Sequence, residues 1–262
     1  MKMPDFQKVD EIIRLVAEEE VMPRFNRLEV SDISTKNSPG DLVTVADVRA
    51  EKRLFELLPA LVDGSVIIGE EAVFADDSLY RLLDEDAPVF IVDPIDGTAN
   101  FTDGKPEIGI VVALAYKGET VAGWIYNPVK KMMLSGEKGS GAFAEGKKCA
   151  VSAPADFAWM HGAVGRNVFF DDAMKAAPAY WGSASFNYAL ITTGAADYSV
   201  YRTACIKPWD HAAGVLLHAE AGGYAAYADG TAYRPFPEHK MLIAAPDKTA
   251  WDFIKAHCVK KR

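Results

Sequence analysis

Only three cysteines, Cys149, Cys205 and Cys258, occur among the 262 residues, far apart and without a CxxC pair. That excludes a disulfide framework and a thiolate metal site, and it fits a reducing compartment. No stretch approaches the roughly 18–20 apolar residues of a membrane span. Met1 to Leu15 is interrupted by Lys2, Asp5, Lys8, Asp10, Glu11 and Arg14, which leaves no apolar core for a secretion signal. The expectation is a soluble, cytoplasmic protein with no membrane partner. Positive charge is also short. The 28 Lys and Arg stand against 37 Asp and Glu, a net charge of −9. An acidic surface repels a phosphate backbone, so direct nucleic-acid binding is not expected. A phosphorylated small molecule would then need its positive charge from elsewhere, from a metal ion for example. Internal repeats, low-complexity tracts and flexible linkers are missing too.

Half of the residues are hydrophobic and a quarter are charged, the balance of a globular chain that buries its own core. From Pro4 to Phe25, Val9, Ile12, Ile13 and Val16 fall at helical spacing, with Pro23 marking the last turn or a kink. Ser34 to Gly40 has the composition of a loop, and a second helix is expected from Thr44 to about Leu58. Ser65–Gly69 and Val89–Val92 have the pattern of buried strands, while Ile108–Tyr116 and Thr120–Tyr126 flank a hairpin turn at Lys117-Gly118. Beyond about residue 147 the texture changes. Helices expected near Asp171–Ala177, Ser183–Thr193, Asp210–Ala221 and Asp247–His257 alternate with strands near Ala163, Tyr198, Ala225 and Leu242. The expected organisation is an α+β subdomain over 1–146 packed on an alternating α/β subdomain over 147–262.

The segment richest in chemistry is Phe90-Ile91-Val92-Asp93-Pro94-Ile95-Asp96-Gly97-Thr98-Ala99-Asn100-Phe101. A buried strand ending in Asp93, followed by a turn with Asp96, Gly97 and Thr98, can bring two carboxylates to one point. Gly97 permits close backbone approach, and the amides of Gly97 and Thr98 can receive an anion if a helix begins there. Carboxylates beside backbone amides make sense together if a hard cation such as Mg²⁺ sits between protein and phosphate. Asp-Pro and Asp-Gly are also plain turn formers, and either alone would say no more than that. Other candidates carry structural alternatives. Asp47 follows Thr44 by three residues and could be half of a capping box. Asp210 could simply favour a helix N-terminus. Glu70 and Glu71 could be solvated charges at a strand end. His211 and His218 share a helical face, but neutral imidazoles favour softer cations, and both are read as structural. The glycines of Gly136–Gly146 do not form a nucleotide-binding P-loop.

The string DPIDGTANF resembles the signature DP-[ILV]-DGT-x-N-F of the inositol monophosphatase family. Trp209-Asp210-His211-Ala212-Ala213-Gly214, continuing to Glu220-Ala221-Gly222-Gly223, is similar to that family's WD-x-AAG…EAGG helix. Gly69-Glu70-Glu71 and Asp41-Leu42-Val43-Thr44 leading to Asp47 match further pieces, so the resemblance runs from about 36 to 223. It implies a layered αβαβα sandwich and a Mg²⁺-dependent, Li⁺-sensitive phosphatase that works as a homodimer. By the same resemblance the metal ligands are Glu70, Asp93, Asp96, Asp210 and the carbonyl of Ile95. Asp93 bridges two Mg²⁺ ions, and a third, weaker ion lies near Glu70. Thr98 and Asp47, with Glu70, would orient and deprotonate the attacking water. Gly97, Thr98, Ser183 and Lys36 would contact phosphate and substrate.

Animal relatives carry a Glu seven residues before the WD aspartate, where it grips an inositol hydroxyl. Here that position is Thr203. The departure leaves several substrates open: inositol 1-phosphate, 3′-phosphoadenosine phosphate, fructose 1,6-bisphosphate and histidinol phosphate. A regulatory role bound to RNA or the transcription machinery is a reading of another class. The acidic set favours catalysis over it, and the net charge disfavours direct RNA contact.

Overall fold

The computed structural model describes residues 1–36, 41–165 and 167–259. The chain opens with α1 (Phe6–Val16), whose N-cap Asp5 accepts hydrogen bonds from the amides of Gln7 and Lys8. A single π-helical stretch, Ala17–Val21, extends it to the turn that holds Pro23. Strands β1 (Ile33–Thr35) and β2 (Leu42–Thr44) pair antiparallel and lead into α2 (Val45–Leu57). The loop expected over 34–40 therefore begins within β1, and its residues 37–40 lie outside the described ones.

Next come β3 (Val66–Gly69), α3 (Glu70–Ala75), β4 (Val89–Asp96) and α4 (Thr98–Thr102). The antiparallel run β5 (Gly109–Tyr116), β6 (Glu119–Asn127), β7 (Met132–Glu137), β8 (Gly141–Ala144) and β9 (Lys147–Lys148) completes a seven-stranded sheet in sequence order, β3 to β9. The turn between β5 and β6 has positive φ at both Lys117 (52°) and Gly118 (73°), the type I′ geometry that suits a two-residue hairpin.

The C-terminal half supplies β10 (Gly162–Val164), β11 (Phe169–Phe170), α5 (Ala184–Thr192), β12 (Tyr198–Tyr201), α6 (Pro208–Glu220), β13 (Tyr224–Tyr227), β14 (Leu242–Ala245), α7 (Lys248–His257) and β15 (Cys258–Val259). Four of its strands form a second sheet in the order β10-β12-β14-β13, and β11 pairs with β15. The helix expected over Asp171–Ala177 does not form. The Asp171 carboxylate accepts from the Ala173 amide and contacts His257, the Lys175 amide reaches Ala158, and Pro178 follows. A helix would have to give up these local bonds.

Alternation along the strands explains the layering. On β4 and β5, Phe90, Val92, Ile110, Val112 and Leu114 face a core shared with α1 and α2. Ile91, Val111 and Ala113 face the opposite core with Tyr188 of α5 and Ala213 and Leu217 of α6. That second core also receives Leu242 and Ala244 of β14, whereas Ile243 and Ala245 point away to pack with Trp251 and Ile254 of α7. Five layers result: α1/α2, the large sheet, α5/α6, the small sheet and α7. This is an αβαβα sandwich.

Candidate metal centre

Strand pairing places the acidic groups. β3 and β4 run parallel with Gly69 opposite Val92, so the residues that follow, Glu70 and Asp93, emerge side by side at the carboxyl end of this parallel pair. In open α/β sheets that end is where ligands bind. β4 does not stop at Asp93, as its sequence suggested, but continues to Asp96. Residues three apart on a regular strand face opposite sides. Here the register with β5 shifts between Asp93 and Asp96, so that Pro94 and Ile95 on β4 oppose the single residue Ile110 on β5. This bulge restores the parity. Pro94 sits inside it, where the missing N–H breaks no ladder bond.

Asp96 is then fixed from the other half of the chain. The Ser183 hydroxyl donates to its Oδ2 at 2.5 Å, and the amides of Ser185 and Ala184 reach its two oxygens at 2.6 and 3.2 Å. Asp210 arrives on the first turn of α6, with Pro208 at the head of that helix. As a result Asp93, Asp96 and Asp210 each offer an oxygen, and these three atoms lie within 4.8 Å of one another. Such a set of oxygens suits a hard cation such as Mg²⁺.

Around this cluster stand the other expected residues. Gly97 adopts φ 88°, and a Cβ there would lie 2.9 Å from the Glu107 carbonyl, so glycine is required. Thr98 begins α4, its hydroxyl 3.1 Å from the Ile95 carbonyl and 3.3 Å from Asp47 Oδ1. Asp47 divides its two oxygens. Oδ2 takes the Thr44 amide and hydroxyl at 2.8 and 2.6 Å, closing the capping box, while Oδ1 faces Thr98. The capping and functional readings of Asp47 are therefore compatible. Glu70 is outside the three-carboxylate cluster. Lys36 lies between Glu70 and Glu71, 2.7 Å from each, with only 3% of its side chain exposed.

A sequence profile of the inositol monophosphatase family matches residues 4–260. The chain belongs to that family. A fructose-1,6-bisphosphatase/inositol-1-monophosphatase of Thermotoga maritima is 31% identical over 201 residues, 74% of either chain. Inositol-1-monophosphatase of Mesorhizobium japonicum is 33% identical over 221 residues, 79% of either chain. The solved structure of a T. maritima inositol monophosphatase superposes with a TM-score of 0.80, at 28% identity and 96% coverage of both chains. The protein is thus a phosphoric monoester hydrolase, and enzymes of its family depend on metal ions, typically Mg²⁺.

Two cavities of this phosphatase meet at Asp210. One, of about 540 Å³, is lined by Lys36, Asp41, Glu70, Tyr80, Lys207 and Trp209. The other, of about 350 Å³, is lined by Asp96, Ser183, Asn187, Tyr201, Thr203 and His211. A larger groove near the N-terminus shares none of these residues, and among the described residues its carboxylates do not converge on a metal-sized point. Burial, and then the neighbouring carboxylates Glu70, Asp96 and Asp210, push Asp93 well above the carboxylate range. Asp210 is raised for the same reasons, burial first and Asp96 next. Crowded, buried like charges of this kind are relieved by a cation. His211 and His218 sit in the core, bonded to the Tyr188 hydroxyl and the Ala245 carbonyl, and burial lowers them to about 3 and 4. They stay neutral at physiological pH.

Burial also raises Asp47 to about 6, Glu51 to about 7 and Glu71 to about 8, from ordinary values of 3.8, 4.5 and 4.5. Folded-state values above the unfolded ones mean that the metal-free fold holds extra protons. Its stability is full below the unfolded values and is lost as pH rises through the folded ones. The two buried histidines act in the opposite direction, but only below about pH 6.5, their unfolded value. In EDTA the melting temperature should therefore fall from pH 6.5 to 8 at constant ionic strength. A flat or rising profile would contradict the buried carboxylates.

Some contributors were given no role by the sequence reading. Glu51 reaches the amides of Glu71 and Ala72 from another helix. Asn100, inside the signature string, ties the Glu107 and Trp181 carbonyls together through its side-chain amide. Lys207, just before α6, bonds the Tyr80 hydroxyl and lies over the Trp209 ring. The hydrogen bonds among these contacts bridge 7 to 127 positions.

Proposed function

We propose that this phosphatase hydrolyses a small phosphate monoester of the inositol 1-phosphate type, with Mg²⁺ held by Asp93, Asp96, Asp210, Glu70 and the Ile95 carbonyl. The observation that carries the reading is the convergence of Asp93, Asp96 and Asp210 beside the Thr98–Asp47 pair. Asp93 would bridge two ions, with a third, weaker one near Glu70. A pair of Mg²⁺ ions supplies positive charge to the attacking and leaving oxygens of an in-line displacement. The residues do the rest. Thr98 holds the attacking water through its hydroxyl, and Asp47, its Oδ1 unused by the helix cap, accepts the proton. The amides of Gly97 and Thr98 receive a phosphoryl oxygen, and Ser183 keeps Asp96 oriented. Lys36 adds a cation at the edge of the same cleft.

The alcohol half of the substrate would lie in the cavity lined by Ser183 and Thr203. Position 203 itself offers no carboxylate to grip a polyol, and the Thr203 hydroxyl is turned to the Cys205 carbonyl at 2.8 Å. That favours a broader range, including fructose 1,6-bisphosphate, an activity that the T. maritima relative bears in its name. In this reading the enzyme is a cytoplasmic homodimer, inhibited when Li⁺ takes a Mg²⁺ position. It acts on small molecules and not on nucleic acid, consistent with its net charge of −9.

The test is phosphate release from inositol 1-phosphate, fructose 1,6-bisphosphate, 3′-phosphoadenosine phosphate and histidinol phosphate, each with Mg²⁺ or with excess EDTA. Release from at least one substrate with Mg²⁺, and from none in EDTA, is expected. Equal rates in the two conditions would overturn the metal-dependent mechanism.

A further inference from the structure

We infer that Glu51 is a positioning residue for Glu70: by capping α3 from a neighbouring helix, it keeps the Glu70 carboxylate directed into the cleft. The inference rests on the reading of Glu70 as a metal ligand given above. Glu51 lies on α2 one turn beyond Asp47 and is 5% exposed. One carboxylate oxygen accepts from the Glu71 amide at 2.9 Å and the other from the Ala72 amide at 2.8 Å. These are first-turn amides, which a helix cannot satisfy from within. The N-cap residue, Gly69, has no side chain to serve them. A Cβ on Gly69 would stand 2.2 Å from Glu51 Oε2, so a larger residue there would displace the Glu51 carboxylate from its place.

What this cap decides is the direction of two acidic side chains. Carboxylates in a first turn are drawn to its unpaired amides, by hydrogen bonding and by the helix dipole. With Glu51 in place those amides are already taken. Glu70 and Glu71 turn outward to Lys36, and Glu70 lines the cavity it shares with Asp210. Helix α2 thus controls two sides of the cleft from one face. Asp47 sets Thr98, and four residues later Glu51 sets Glu70.

The experiment is a calorimetric Mg²⁺ titration of wild type, Glu51→Ala, Glu51→Gln, Glu70→Gln and the Glu51→Ala/Glu70→Gln double variant, with folding checked by circular dichroism. Glu51→Ala should weaken Mg²⁺ binding by about 10–100-fold, the usual loss for a partner that orients a ligand. Saturating Mg²⁺ should restore most of kcat. Glu51→Gln keeps one acceptor oxygen, so its loss should be smaller but measurable, and it carries the test if the alanine variant does not fold. In the Glu70→Gln background, Glu51→Ala should add little, because the coupling runs through Glu70. A merely structural role would lower the melting temperature without touching Mg²⁺ affinity, or weaken binding equally with and without Glu70. Either result overturns the inference, as would wild-type affinity in a folded Glu51→Gln. A wild-type protein that binds no Mg²⁺ would instead overturn the proposed function itself.

Discussion

Asp93→Asn is expected to abolish phosphate release while leaving the metal-free protein at least as stable as wild type. Asparagine has nearly the same shape, and its carbonyl oxygen can still accept the Ile95 amide that Asp93 Oδ1 accepts at 3.0 Å. What disappears is one charge, at a buried point where Glu70, Asp96, Asp210 and Asp47 all disfavour it. Removing a repelled charge does not weaken the empty fold. It does remove the charge that two ions would share. A cation that binds only the folded state adds about 2.7 kcal/mol at a hundredfold excess over Kd. For a chain of this size that is a rise of roughly 5–10 °C, at about 2–4 °C per kcal/mol. Wild type should show this rise, and Asp93→Asn should lose most of it. A thermal-shift series against Mg²⁺ at constant ionic strength decides the matter. An equal shift in the two proteins would mean that these carboxylates are not the principal metal site.

Thr98→Ala should separate proton handling from metal binding. The Thr98 hydroxyl lies between Asp47 Oδ1 and the Ile95 carbonyl, and its loss leaves every proposed carboxylate ligand in place. Turnover should fall by about 10²–10⁴-fold, the range for acid–base assistance, with the Mg²⁺-dependent thermal shift retained. Thr98→Ser should recover much of the rate. Asp47→Asn is a poorer probe, because Asp47 Oδ2 also closes the cap of α2 and stability would change with it. Full turnover in Thr98→Ala would remove Thr98 from the proposed mechanism.

Local signals made most of the elements legible. The Thr44–Asp47 box, the Lys117-Gly118 turn and the Val- and Ile-rich strands owe their form to residues a few positions apart, and the structure places each close to where the sequence did. The Asp171–Ala177 segment misled because its helical composition was outweighed by bonds to Ala158 and His257, contacts no local pattern contains. Three of the expected ligands, Asp93, Asp96 and Asp210, do come together, but the way they converge was not legible in the sequence. Asp93 and Asp96 were read as the two sides of a turn, whereas a bulge against β5 brings them together. That bulge depends on the register of a partner strand. The pairing of Lys36 with Glu70 and Glu71 spans 34 and 35 positions and has no sequence signature at all.

The grip of Ser183, Ala184 and Ser185 on Asp96 also bears on the life of the chain before it is complete. The two sides of that contact are 87 to 89 positions apart, and Asp210 comes later still. During synthesis, at about 5–20 residues per second, the DPIDGT segment leaves the ribosome seconds before α5 and α6 exist. Until then Asp93 and Asp96 belong to a sheet with one face uncovered, and the cluster lacks its third carboxylate. A nascent or truncated chain therefore carries the signature string without the three-carboxylate cluster that the finished fold assembles around it. If the proposed site is right, catalytic competence is a property of the finished molecule, and a chain halted before α6 should release no phosphate.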